Sequence, residues 1–279
     1  IKKYNVAMDL LEQCQDAAIE VGNMIEAIEG EGFVTVPLLE NYCELTYQVH
    51  EEIWQNHFIS AGKIYKNLRR SLIQVENSVK NDIKVRMEAI FLPYKASMWD
   101  SLESVWKAAD EDPDCDAYVI PIPYYDRSPD GSFREIHYEG NEYPDYVPVT
   151  WYEDYDFASH RPDMIFIHNA YDNNNYVTSV HPFFYSKNLK QYTEKLIYIP
   201  YFVLNEVDPE NKLAVAEIAH FCTCPGVINA DNVIVQSEAM RQVYIKVMTD
   251  FMGKETKRYW EGKVLGLGSP KADKVLSAR

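Results

Sequence analysis

The sequence predicts an α/β protein: a Rossmann-like, mostly parallel sheet preceded by an N-terminal helical arm. Three observations carry this. Up to about Val79, apolar residues recur at three- and four-residue steps, as on amphipathic helices. From Ile83 onward, short continuous apolar runs take their place. Those runs alternate with helical segments, the pattern of parallel strands joined by right-handed crossovers. The chain therefore divides into an arm, residues 1–82, and a domain, residues 83–279.

Within the arm, Val6, Leu10, Cys14, Ala17, Val21, Ile25 and Ile28 fall on one stripe of a helix over 4–29, closed by Gly30 and Gly32. A second helix is expected from Pro37 to His57, with Leu38, Tyr42, Leu45, Val49 and Ile53 facing a partner. A third runs from Ala61 to Val79. Dimerisation, docking on a membrane-bound complex and packing onto the domain all fit such an arm.

In the domain, residues 84–92 alternate and then turn wholly apolar, the signature of a strand entering a buried sheet. A helix follows over 97–110 with Trp99, Leu102, Val105 and Trp106 inward. Further strands are read at 117–122, 164–167, 196–199, 233–235 and 263–266, with helices at 212–221 and 237–251. Ser237 stands where a helix N-cap belongs.

Composition narrows the function. A chain that is 47% hydrophobic and 25% charged has the makings of a folded core. Its net charge of −16 disfavours nucleic acid and anionic membrane surfaces as partners, since both require concentrated Lys and Arg. No apolar run after Ile1-Lys2-Lys3-Tyr4-Asn5 resembles a signal peptide, so a cytoplasmic protein is expected. Five cysteines lack a disulfide framework, and Cys222-Thr223-Cys224, even with His220 nearby, lacks the second pair of a zinc site. Buried, reduced thiols follow, with no metal and no cofactor.

Ligands of such sheets sit beyond the carboxyl ends of the strands. After the first strand, Ser97 is expected to cap a helix whose free N–H groups meet an anion, with Lys95 adding charge. No glycine-rich dinucleotide or P-loop pattern is present. After the second strand, a Tyr-, Glu- and Asp-rich stretch suits either a polyol site or a surface hairpin. After the third, His168-Asn169-Ala170-Tyr171-Asp172-Asn173 leads towards His181-Pro182, amide-rich and poor in helix and strand formers. His168, at the strand end, stands where a general base belongs. Asn169, Tyr171, Asp172, Asn173, His181 and, after the fourth strand, Tyr201 complete the candidate substrate-binding set.

The tail carries a resemblance. Asp231-Asn232-Val233-Ile234-Val235-Gln236-Ser237-Glu238, then Val264-Leu265-Gly266-Leu267-Gly268-Ser269-Pro270-Lys271-Ala272-Asp273-Lys274, resembles the inter-domain region of CDP-glycerol glycerophosphotransferases. Phe166 to Tyr171 and Tyr198-Ile199-Pro200-Tyr201 look similar too. The resemblance spans about residues 84–279 and leaves out the arm. It implies the first, acceptor-side half of a GT-B fold, with a second half beyond Arg279 binding a nucleotide-activated polyol or sugar. The implied activity is transfer of a polyol-phosphate to a teichoic-acid-type cell-wall polymer, with little donor affinity and no turnover from this half alone. The family's W-H-G-T-P-L-K element, which carries a catalytic His, is absent here. Its counterpart reads Ile199-Pro200-Tyr201-Phe202-Val203-Leu204, leaving His168 or His220 as substitutes. A non-catalytic binding or regulatory module on a degenerate GT-B half is the second reading, and a periplasmic-type sugar binder the third.

Overall fold

The computed structural model describes residues 2–55 and 60–277. They fall into two units, Ile1–Val85 and Arg86–Arg279. The first comprises α1 (Lys2–Glu29), α2 (Val36–Trp54) and α3 (Ala61–Asp82). The expected end of the second helix at His57 lies outside the described residues. Gly30 and Gly32 close α1 with φ of 98° and 77°, values that favour glycine. A small core of Ala18, Ile25, Val36, Leu39 and Val75 joins the helices, and Thr35 Oγ1 and Ser78 Oγ share a buried hydrogen bond of 2.9 Å.

The face α1 buries is not the predicted stripe. Ala18, Gly22 and Ile25 are buried, with Leu11 and Gln15 half-buried, while Val6, Leu10, Cys14, Ala17, Val21 and Ile28 are exposed. The helix carries two apolar stripes. The one with Ala18 and Gly22 admits α2 more closely, since a Cβ on Gly22 would already touch Leu39 at 3.9 Å. Cys14 is therefore an exposed thiol, against the expectation of burial.

The second unit runs β1 (Met87–Leu92), a 3-10 turn over Ala96–Ser101, α4 (Glu103–Asp110), β2 (Cys115–Val119), β3 (Tyr124–Arg127), β4 (Phe133–His137), α5 (Phe157–His160), β5 (Met164–Ile167), β6 (Thr178–Val180), α6 (Ser186–Leu189), β7 (Lys195–Tyr198), α7 (Lys212–Cys222), α8 (Pro225–Asn229), β8 (Asn232–Ile234), α9 (Glu238–Met252), α10 (Lys257–Lys263), β9 (Val264–Leu265) and α11 (Pro270–Ser277). The main sheet has the order β2-β1-β5-β7-β8-β9, with every pair parallel. This is the expected Rossmann-like α/β layout. A three-stranded antiparallel sheet, β4-β3-β6, is built from the segments that leave β2 and β5.

Strands buried on both faces explain the continuous apolar runs. On one face Ile90, Leu92, Ile165, Leu196 and Val233 belong to the same core as Met240, Val243, Tyr244 and Met248 of α9. On the other, Phe91 stacks on Phe166 at 4.6 Å and joins Trp99, Leu102, Trp106 and Tyr143. Ser237 caps α9 as expected, its Oγ accepting from Met240 N at 3.1 Å. Cys222 and Cys224 are buried thiols, and burial pushes that of Cys224 up to about 12. No helix among the described residues is long and apolar enough to cross a membrane.

Candidate functional site

In strand order the connections reverse direction between β1 and β5. Ligand crevices of open α/β sheets lie at such a switch point, beyond the carboxyl ends of the strands. Here those ends are Leu92-Pro93-Tyr94-Lys95 and Ile167-His168-Asn169.

His168 ties the two strand ends together. It is wholly buried. The Tyr94 backbone N–H donates to its Nε2 at 3.0 Å, and its Nδ1 lies 2.9 Å from Ser101 Oγ. Ser101 spends its only proton on the Met98 carbonyl at 2.8 Å, so Nδ1 carries the hydrogen and donates to Ser101. Burial pushes the imidazole down to about 3, outweighing the opposing bond near Met98. With both nitrogens engaged and the ring neutral, His168 positions the crevice and presents no base to a ligand. The catalytic role expected of it gives way to this one.

Around it stands a group of phenols. Tyr94 is buried and lies edge-on to His168 (5.4 Å), Tyr124 (5.4 Å) and Tyr201 (6.2 Å). Tyr171 approaches Tyr201 at 6.5 Å. Burial, with the neighbouring phenols, raises the Tyr94 and Tyr171 hydroxyls far above their usual range, so they act as neutral hydrogen-bonding groups. Asn169 Oδ1 accepts from Tyr171 N at 3.0 Å and fixes the start of the loop. The half-buried Lys95 ammonium sits 4.9 Å from the Tyr124 ring centre and 5.7 Å from that of Tyr94. It forms no ion pair among the described residues.

Ser97 does not cap. The turn behind β1 starts at Ala96 and is a 3-10 turn, and Ser97 is exposed without a capping bond. The first N–H of that turn, Ala96 N, already has an acceptor in the chain's own Glu139. One of its oxygens accepts from Ala96 N at 2.8 Å and the other from the Tyr124 hydroxyl at 2.6 Å.

No family model, curated protein or solved structure matches the chain. The site is therefore read from its own geometry.

Of the expected residues, Lys95, His168, Asn169, Tyr171 and Tyr201 gather at the crevice; the rest serve elsewhere. Asp172, in a left-handed backbone conformation, accepts from Ser186 N (2.9 Å) and Ser186 Oγ (2.6 Å) and so anchors α6; burial raises its carboxyl. The Asn173 and Asn175 carbonyls accept from the Arg127 guanidinium, which pins this loop to the second sheet. His181 accepts from Phe183 N at 3.3 Å and lines a separate groove of about 490 Å³ with Tyr152, Tyr155, Phe157, Phe184 and Tyr192. His220 is exposed on α7, its ring tilted by 40° against that of Phe221 at 3.9 Å. Tyr94, Tyr124 and Glu139 escaped the sequence reading. Tyr94 sits in an apolar strand exit, and Glu139 lies in a stretch with no period to single it out.

Proposed function

We propose that the Arg86–Arg279 unit is the acceptor-side domain of a GT-B-type transferase resembling CDP-glycerol glycerophosphotransferases, holding a polyol-phosphate acceptor at the β1/β5 crevice. The carrying observation is Lys95: a half-buried ammonium without an ion-pair partner among the described residues, beside phenol rings at the switch point. A phosphate pairs with the ammonium, while polyol hydroxyls exchange hydrogen bonds with Tyr171 and Tyr201. The tail from Val264 to Lys274, which carries the resemblance, forms β9 and α11. Free cysteines fit a reducing compartment, and the cytoplasm is the proposed site of action.

One observation favours the second reading, a binding module without chemistry. The histidine at the strand end, His168, has both nitrogens engaged and is no usable base.

Calorimetric titration with glycerol-phosphate oligomers tests the proposal. Binding is expected, weakened about 10-fold or more in K95M, since a hydrogen bond to a charged group contributes about 1.5–3 kcal/mol. Equal affinity in K95M overturns the assignment of the crevice. Turnover of a CDP-polyol by this chain overturns its acceptor-only role.

A further inference from the structure

The antiparallel sheet beside the crevice carries a second constellation. On β4, Glu135 and His137 are two residues apart and so share a face; on β3, Tyr124 and Asp126 do the same. Tyr124 pairs with His137 across the ladder, and a register shift between Tyr125 and Arg127 places Asp126 beside this pair. One donor atom from each of Asp126, Glu135 and His137 lies within 4.8 Å of the other two. His137 Nε2 is 3.0 Å from Asp126 Oδ2. Donors about 2.1 Å from a shared ion stand about 3.0 Å apart when cis in an octahedron and about 3.4 Å apart in a tetrahedron. The His137–Asp126 contact, a hydrogen bond, has the cis spacing, so an ion takes the place of the shared proton there, and a side-chain rotation of the exposed Glu135 closes the third edge.

Two further observations fit a cation here. The His137 ring is held by its stack on Tyr124, 5.0 Å between centres and 27° between planes, and Tyr124 is itself anchored through Glu139. The stack limits the ring's rotation, so less freedom is lost when it takes an ion. Glu135 has no hydrogen bond or ion pair among the described residues, yet it stands beside another carboxylate on a chain of net charge −16. Two carboxylates that close repel one another, and a cation between them removes that repulsion.

We propose that Asp126, Glu135 and His137 form a site for a divalent first-row metal ion such as Zn²⁺ or Mn²⁺. The mixed nitrogen and oxygen donors suit these ions. Three protein ligands leave coordination positions open. The ring of Tyr124 has Lys95 and His137 each about 5 Å from its centre, so the ion and the ammonium flank the same residue. Resting on the acceptor reading above, the ion's role is to offset repulsion between an acidic chain and a phosphate polymer, with a phosphate oxygen entering an open position.

The test is calorimetric titration of metal-stripped full chain with Zn²⁺ and Mn²⁺. One ion is expected to bind per chain at this site, weakened at least 10-fold in H137A and in E135Q. The second change touches only an exposed side chain without other bonds and leaves the fold intact. H160Q, which alters the separate His160–Glu88 pair, is expected to bind as the original chain does. Failure of the original chain to bind, or unchanged affinity in both H137A and E135Q, overturns the site. Glycerol-phosphate oligomer titrations with ion and with EDTA then separate the two claims. Tightening by the ion in the original chain but not in E135Q supports its role at the acceptor. Ion binding without tightening overturns that role and leaves the metal site standing.

Discussion

Replacing His168 with Phe distinguishes a positioning histidine from a reactive one. A planar ring is kept, somewhat larger than imidazole, and both of its hydrogen-bonding nitrogens are lost. The Tyr94 N–H, buried at the end of β1, is left without its 3.0 Å acceptor, and Ser101 loses the donor at 2.9 Å. An orphaned buried donor costs about 1–3 kcal/mol, and the second bond about 1 kcal/mol more. The expected loss is thus about 2–4 kcal/mol at pH 7.5. With a urea dependence of about 2 kcal/mol per molar, this is a midpoint shift of about 1–2 M. Tryptophan fluorescence reads it, because Trp99 and Trp106 share a core with Phe91, one residue before the end of β1. The pH dependence is the sharper half of the prediction. His168 titrates near 3 when folded and near its ordinary 6.5 when unfolded, because burial disfavours the charged ring. A depressed folded value means that the neutral ring's contribution is fully present above about 6.5. It is lost as pH falls towards 3, because the unfolded chain takes up the proton first. The original chain should therefore lose about 1.4 kcal/mol per pH unit below 6.5 relative to H168F. The advantage of the histidine shrinks to nothing near pH 4–5. A difference that stays flat from pH 7.5 to 4.5, or a midpoint shift below about 0.3 M, refutes the buried neutral assignment.

Two other perturbations test the frame around the crevice. Gly226 donates its N–H to the Ala170 carbonyl at 2.8 Å, and a Cβ there would stand 2.7 Å from Ala170 Cα; G226A should cost about 1–3 kcal/mol in chemical denaturation and disturb the loop after β5. Glu103 is buried; burial alone would raise its carboxyl, but hydrogen bonds from Lys107, Lys274 and Tyr146 outweigh it and hold the group near 2. Its stabilising effect is therefore present above about 4.5 and fades as pH falls towards 2. E103Q should lower the melting temperature at pH 7, with that disadvantage reduced to under half at pH 3. K274A, which removes a half-exposed partner, should cost no more than about 1 kcal/mol.

The parallel sheet was legible because its strands are buried on both faces. Ile165, Phe166 and Ile167 or Leu196, Ile197 and Tyr198 have no polar side to interrupt the run, so each strand stands out from its flanks. The second sheet left a weaker trace. Its exposed β4 reads Phe-Arg-Glu-Ile-His, and β6 is only Thr178-Ser179-Val180, which gains its neighbour β3 from a segment more than fifty positions earlier in the chain. Long-range pairing of that kind has no local period. The arm failed differently: α1 has apolar residues on two sides, and close approach at Ala18 and Gly22, rather than side-chain size, selects the buried one. At the site, strand ends told where to look, and Lys95, His168 and Tyr201 were found that way. The protonation and bonding of His168 depend on Ser101 and Tyr94, far from it in sequence, and only the fold brings them to it.

The carboxyl edge of the main sheet is closely packed at its β7–β9 end. Beyond β7, β8 and β9, Phe202, Leu204, Met240, Tyr244 and Ser269 leave a space of only about 10 Å³, room for at most a single water. Gln236 closes this end. Its Oε1 accepts from Leu204 N at 2.8 Å and its Nε2 donates to Leu204 O at 2.7 Å, a side-chain imitation of a strand pair that holds the chain after Tyr201 down. Gly266 allows the last connection to lie against the Ser237 backbone, where a Cβ would come within 2.7 Å. The closely packed end reaches to Phe202, and Tyr201, Tyr171, Tyr94 and Lys95 follow along the edge. On the proposed reading, an acceptor at this edge meets Tyr201 at one limit and Lys95 at the other, which puts its phosphate at the β1 side and its polyol over β5.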